Sequence, residues 1–178
     1  LIAALQEPDD VHVLLSSPVE LVFLRIGDAE TLRDSVRLLH NSGKRVCVQL
    51  DLIRGLSLER EAVSFVARQA KPDGIVTTRQ QLVRQAQELG LVGILHQFVL
   101  DTGAFASAVD HAHAAAPSAF YIMPGVMPRV VHELKAAITV PLIVGGLFKY
   151  RDELVEARRA GADAVVSGTS GLWGTVVG

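Results

Sequence analysis

Short apolar runs rich in Val and Ile punctuate the chain at 2–4, 19–24, 45–50, 74–77, 92–95, 119–123, 142–144 and 164–166, with amphipathic stretches between them. The runs show little polar alternation, as expected for strands buried on both faces of a parallel sheet flanked by helices. The intervening stretches carry helix punctuation. After Asp28, a candidate N-cap, Leu32, Val36 and Leu39 recur at helical spacing until Asn41-Ser42-Gly43 stops them. After Ser57, the residues Ala62, Phe65, Val66 and Gln69 fall on one face ahead of Lys71-Pro72. Leu82, Val83, Ala86 and Leu89 define another helix, closed by Gly90. Pro128 suits a first helical turn with Val130, Val131 and Leu134 facing inward, and Leu154, Val155 and Arg158 lead to an Ala160-Gly161 stop.

Strand–helix alternation allows an open doubly wound sheet or a closed (β/α)8 barrel. The doubly wound form wants a glycine-rich turn after its first strand, and Ile2-Ala3-Ala4-Leu5-Gln6-Glu7 has none. Eight runs in series favour closure. At 178 residues the chain is short for that architecture, leaving about 22 residues per unit. The expected fold is therefore α/β, a compact (β/α)8 TIM-type barrel with short loops. It has room for one irregular unit, a missing strand or a helix reduced to a turn. No linker or low-complexity tract divides the chain, so 1–178 is read as a single domain.

Charge and cysteine content narrow the function classes. Seventeen basic groups against nineteen acidic ones, with a pI near 6.3, exclude nucleic-acid binding by bulk positive charge and leave only a local basic patch. Basic residues gather at Arg33, Arg37, Lys44 and Arg45 and again at Lys149, Arg151, Arg158 and Arg159. Asp34, Asp152, Glu153 and Glu156 dilute both groups, which read as solvated helix faces. A single cysteine, Cys47, cannot form an internal disulfide and points to a reducing compartment, the cytoplasm. The apolar runs are far shorter than the ~20 residues that cross a bilayer, so no membrane association is expected.

In a barrel, ligands meet the residues that follow the C-terminal ends of the strands. The seventh run ends in Gly145-Gly146 and the eighth in Ser167-Gly168-Thr169-Ser170. Glycine lets main-chain amides approach an anion without an intervening Cβ, and phosphate after strands seven and eight recurs in barrels. Gly145, Gly146, Ser167, Gly168 and Thr169 are accordingly the candidate phosphate site. Other strand ends offer Asp51, Thr77, Arg79, Asp101 and Gly125 as candidate ligand-binding residues. Short carboxylates accept hydrogen bonds from hydroxyls, and an arginine fork suits phosphate. Helix capping or a loop ion pair accounts equally well for either aspartate. His96 is read as hydrogen-bonded structure, Cys47 as a small buried hydrophobe, and Trp173 as a residue that seals the barrel. His111 and His113 are two apart on a helix and cannot share a ligand. No HExxH, CxxC, GxxxxGK or Ser-His-Asp signature appears, so no metal, cofactor or catalytic residue is assigned.

Taken together and in order, Val48-Gln49-Leu50-Asp51-Leu52-Ile53-Arg54-Gly55-Leu56, Gly74-Ile75-Val76-Thr77-Thr78-Arg79, Phe98-Val99-Leu100-Asp101-Thr102, Met123-Pro124-Gly125-Val126-Met127-Pro128, Ile143-Val144-Gly145-Gly146-Leu147 and Ser170-Gly171-Leu172-Trp173 resemble the glycerol-3-phosphate-responsive antiterminators of bacterial glycerol uptake operons. Where that family's pattern carries histidine, glutamate and serine, this chain has Gln49, Tyr121 and Gly103. The resemblance implies a barrel that binds glycerol 3-phosphate as effector and promotes transcription antitermination by acting on the leader mRNA, with no reaction catalysed. The partners it implies are that ligand, the leader mRNA and, with no motif to fix it, a second copy of the chain. The competing reading is a small barrel enzyme acting on a phosphorylated metabolite with Asp51 or Asp101 as base.

Overall fold

The computed structural model describes residues 1–175, so the last three positions of the single domain expected over 1–178 lie outside it. Eight strands, β1 (Ile2–Leu5), β2 (Leu21–Leu24), β3 (Arg45–Gln49), β4 (Gly74–Thr77), β5 (Val92–Phe98), β6 (Ala119–Met123), β7 (Leu142–Gly145) and β8 (Ala164–Ser167), close in sequence order into a barrel. Every neighbouring pair is parallel, and β1 meets β8 through Ile2 with Val166 and Ala3 with Ser167. The helices that follow β1 to β7 are α1 (Val11–Ser16), α2 (Leu32–Asn41), α3 (Arg60–Gln69), α4 (Gln80–Glu88), α5 (Thr102–Ala115), α6 (Pro128–Ala137) and α7 (Arg151–Arg159). After β8 the described chain makes only a 3-10 turn, Ser170–Leu172. This is the irregular unit that the short length required.

Trp173 compensates for the absent helix. It is 1% exposed and belongs to the core cluster that includes Ala3, Leu14 and Val22, while Nε1–H donates to Ser167 O at 2.8 Å. One large side chain with a satisfied donor thus covers strand surface that a helical turn would otherwise cover. The β5 run extends to Phe98, further than apolarity alone suggested, because His96 and Gln97 pair with Tyr121 and Ile122 in the ladder.

Helix faces follow the expected spacing with local corrections. In α3 the inward positions are Ala62, Val63 and Val66, whereas Phe65 and Gln69 are exposed. Leu89 is exposed just beyond α4, and Val130, Val155 and Arg158 are half-buried. The α2 start is organised by Asp28, whose Oδ1 accepts the Thr31 N–H at 2.9 Å, although regular helix begins only at Leu32.

Alternating strand positions divide the core. Residues such as Ala3, Val22, Val46, Ile75 and Val144 face the helices, and Ile2, Phe23, Cys47, Val76, Ile94, Tyr121 and Ile143 fill the barrel. Combining this parity with the ladder registers sorts the interior into layers drawn from alternate strands, as in other closed barrels of this kind. Ile2, Cys47, Ile94 and Ile143 form one layer, and Phe23, Val76, Tyr121 and Val166 lie above it. Ala4, Gln49, His96 and Gly145 come next, and Arg25, Thr78, Met123 and Gly168 form the rim. The Phe23 and Tyr121 rings meet edge to face within one layer at 5.4 Å. The apolar core therefore gives way to polar groups at Gln49, the last residue of β3, and at His96, two residues before β5 ends.

Candidate functional site

The turns after β7 and β8 converge on one cavity of about 280 Å³ at the C-terminal mouth. Its walls include Ala4, Gln6, Arg25, Tyr121, Met123, Gly146, Leu147, Phe148, Val166, Ser167, Gly168 and Thr169. Thr169 Oγ1 donates to Phe148 O at 3.3 Å, which ties the two turns together. Within the second turn, Ser167 Oγ accepts the Thr169 N–H at 3.1 Å. These side chains hold the loops in shape, and the glycines leave the main chain uncovered.

Space at these glycines is tight, and at Gly146 the backbone itself favours glycine. Gly146 has φ +83°, in the left-handed region, and a Cβ there would come within 2.5 Å of Met123 Cε at the cavity wall. A Cβ on Gly145 would stand 2.8 Å from the Tyr121 hydroxyl, and one on Gly168 would stand 2.7 Å from Gln6 Nε2. Gly125, after β6, supports the Gly146 turn. Its N–H donates to Gly146 O at 3.2 Å, and a Cβ would press into the Phe148 ring.

Arg25, at the end of β2, brings a positive charge to this mouth. One of its terminal nitrogens donates to Gln6 Oε1 at 3.1 Å, and its Nε is buried with no partner. Neither residue stood out from the sequence, because neither follows a glycine turn. The signal was period two: Gln6 and Arg25 are the next inward positions after Ala4 and Phe23.

The remaining expected ligand residues are not gathered here. Asp51 faces Thr78, accepting its hydroxyl at 2.5 Å and its N–H at 3.2 Å. Asp101 is the N-cap of α5, its Oδ1 accepting the Ala104 N–H at 2.7 Å. Thr77 is fully buried outside the barrel interior, with Oγ1 accepting the Arg79 N–H at 3.3 Å. Arg79 opens onto a separate surface groove with Gln80, Gln81 and Arg84. Asp101 thus performs the capping task that local sequence left open, while Asp51 braces the turn after β4 through Thr78.

Burial sets the protonation of the groups below the cavity. It pushes the Tyr121 phenol up to about 12, with Arg25 opposing, so the hydroxyl stays protonated. Burial, reinforced by the Arg25 charge and opposed by Asp51, holds His96 down at about 4. The ring stacks on Tyr121 at a centroid distance of 4.6 Å, and neither nitrogen has a hydrogen-bond partner. His96 is therefore not the hydrogen-bonded structural residue expected. Cys47 is buried, its thiol raised to about 12 chiefly by desolvation, which fits a packing role. No cluster of three or more metal-ligating side chains occurs among the described residues.

A closed (β/α)8 barrel of minimal length, with a cavity between the turns after its last two strands, places the molecule among the compact TIM-type barrels in architecture. The chain belongs to the glycerol-3-phosphate responsive antiterminator family, whose family model matches residues 1–173. It is 26% identical over 173 residues to the uncharacterized protein YgcP of Escherichia coli (strain K12), covering 97% of this chain and 91% of that protein. The crystal structure of the glycerol uptake operon antiterminator regulatory protein from Listeria monocytogenes aligns with TM-score 0.92 and 25% identity, covering 97% of this chain and 93% of the other. A glycerol uptake operon antiterminator-related protein from Thermotoga maritima aligns with TM-score 0.85 and 26% identity, covering 98% and 97%. Family and structural neighbours together indicate a glycerol-3-phosphate-responsive antiterminator regulator.

Proposed function

We propose that the barrel mouth is a sensor site for glycerol 3-phosphate, and that the loaded protein acts on a leader mRNA to prevent termination. The observation that carries this reading is the meeting of two glycine turns and Arg25 around one small cavity. Main-chain amides released from side-chain cover, together with one guanidinium, suit a doubly charged phosphate. The phosphate rests against Gly145, Gly146, Ser167, Gly168 and Thr169, and the three-carbon body reaches down toward Ala4 and Tyr121. The base role considered for Asp51 or Asp101 loses ground, because both carboxylates already accept local hydrogen bonds.

Sensing requires more than tight binding. The ligand shifts a conformational or assembly equilibrium only by binding the active state more tightly than the inactive one. Calorimetric titration with glycerol 3-phosphate, inorganic phosphate and glycerol tests the site, with affinity expected to fall in that order. Failure of all three to bind removes the reading. Gel retention of a glycerol-operon leader RNA, with and without glycerol 3-phosphate, tests the output. A complex that forms only with ligand is expected, and its absence under both conditions excludes direct RNA contact.

A further inference from the structure

Beneath the cavity lie polar groups that the fold itself does not use. Gln49 and His96 are each only 3% exposed, and Gln49 Oε1 and both His96 ring nitrogens lack hydrogen-bond partners. Buried polar atoms are rarely left in that condition unless a ligand or water completes them. Both residues belong to the interior layer that also contains Ala4 and Gly145. Half of that layer is amide and imidazole, while the other half is nearly without side chain and opens at Ala4 into the cavity. Tyr121 bridges the two halves, lining the cavity while stacking on the His96 ring.

The hydrogen-bonding inventory selects the chemistry that fits. His96 is neutral near pH 7, so its ring supplies one donor and one acceptor. Gln49 Oε1 adds a second acceptor and its amide NH2 adds donors. Acceptors and donors side by side match a pair of neighbouring hydroxyls, each of which donates one hydrogen bond and can accept another. An alkyl chain would leave every one of these sites empty.

We propose that Gln49 and His96 form a diol-reading subsite that makes the mouth prefer a polyol phosphate to an alkyl phosphate. The assignment rests on the phosphate seat proposed above and moves hydroxyl recognition away from Asp51 and Asp101. The test is calorimetry with glycerol 3-phosphate and n-propyl phosphate on the wild type and on Gln49→Met and His96→Phe, which keep side-chain bulk and the stack on Tyr121. The wild type is expected to favour glycerol 3-phosphate by about tenfold or more. Each variant should lose roughly tenfold toward glycerol 3-phosphate while holding n-propyl phosphate within about twofold.

Retained discrimination in both variants, or equal loss of both esters, overturns the subsite while leaving the phosphate seat standing. A wild type that binds neither ester removes the seat and the subsite together. Nitrogen NMR of the wild-type histidines supplies a readout independent of variant folding. The His96 ring signals should move with glycerol 3-phosphate and stay in place with n-propyl phosphate, and identical responses would refute the proposal.

Discussion

Acidification should destabilise the ligand-free protein through His96 well before its carboxylates protonate. The imidazole is held near 4 in the folded chain, against 6.5 as its ordinary value, chiefly because burial penalises its charged form. The folded value lies below the unfolded one, so the unfolded chain takes up the proton first. The stabilisation is complete above 6.5 and is lost progressively as pH falls toward 4. The full separation is worth about 3 kcal/mol, and about 2 kcal/mol of it is gone by pH 5. Asp28, Asp73, Asp163 and Glu153, all held below their ordinary values of 3.8 or 4.5, act in the same direction only at lower pH. Urea unfolding of wild type and His96→Phe at pH 7.5, 6 and 5 isolates the effect, because a constant slope makes midpoint shifts a measure of stability. The wild-type midpoint should fall across this range while that of the variant stays nearly level. Parallel pH dependence in the two proteins would show that His96 is already paired or solvated in the folded state.

Three other substitutions probe the mouth and its support. Gly146→Asp should abolish detectable glycerol 3-phosphate binding in calorimetry by placing a carboxylate at the anion seat. Its left-handed backbone costs about 1–2 kcal/mol, or roughly 2–8 °C in thermal unfolding, and unchanged affinity would relocate the seat. Arg25→Met keeps most of the side-chain length but removes the charge beside Gln6, and should weaken glycerol 3-phosphate roughly ten- to hundredfold by the same assay. Trp173→Ala should lower stability by about 3–5 kcal/mol in urea unfolding, since it opens a cavity over β1 and removes the bond to Ser167 O. A loss under 1 kcal/mol would show that other residues cover the strand.

The barrel was legible because most strands are buried on both faces and so read as near-continuous apolar runs. Run 119–123 coincides with β6, and 74–77 with β4. Legibility failed where burial and polarity occur together. His96 and Gln97 interrupt the apolar run of β5, although the ladder continues through both. The glycine turns could be found because a missing side chain has a direct consequence for how closely an anion can approach. Asp51 and Asp101 were ambiguous for a physical reason: the end of a parallel strand is also where the next helix needs an acceptor for unpaired N–H groups.

Layer parity separates these cases. A residue at a strand end belongs to the barrel mouth when it continues the inward alternation, as Gln6, Arg25 and Gln49 do. Asp51, two positions beyond Gln49, has already left the strand for a 3-10 turn, and there its carboxylate turns to Thr78. Thr77 is out of phase with Val76 and faces the helices, although it immediately precedes Thr78 on the rim. The period-two pattern that predicts a strand therefore also predicts which polar residues at its end face the barrel interior. In this chain it points below the loops, to the amide of Gln49 and the imidazole of His96.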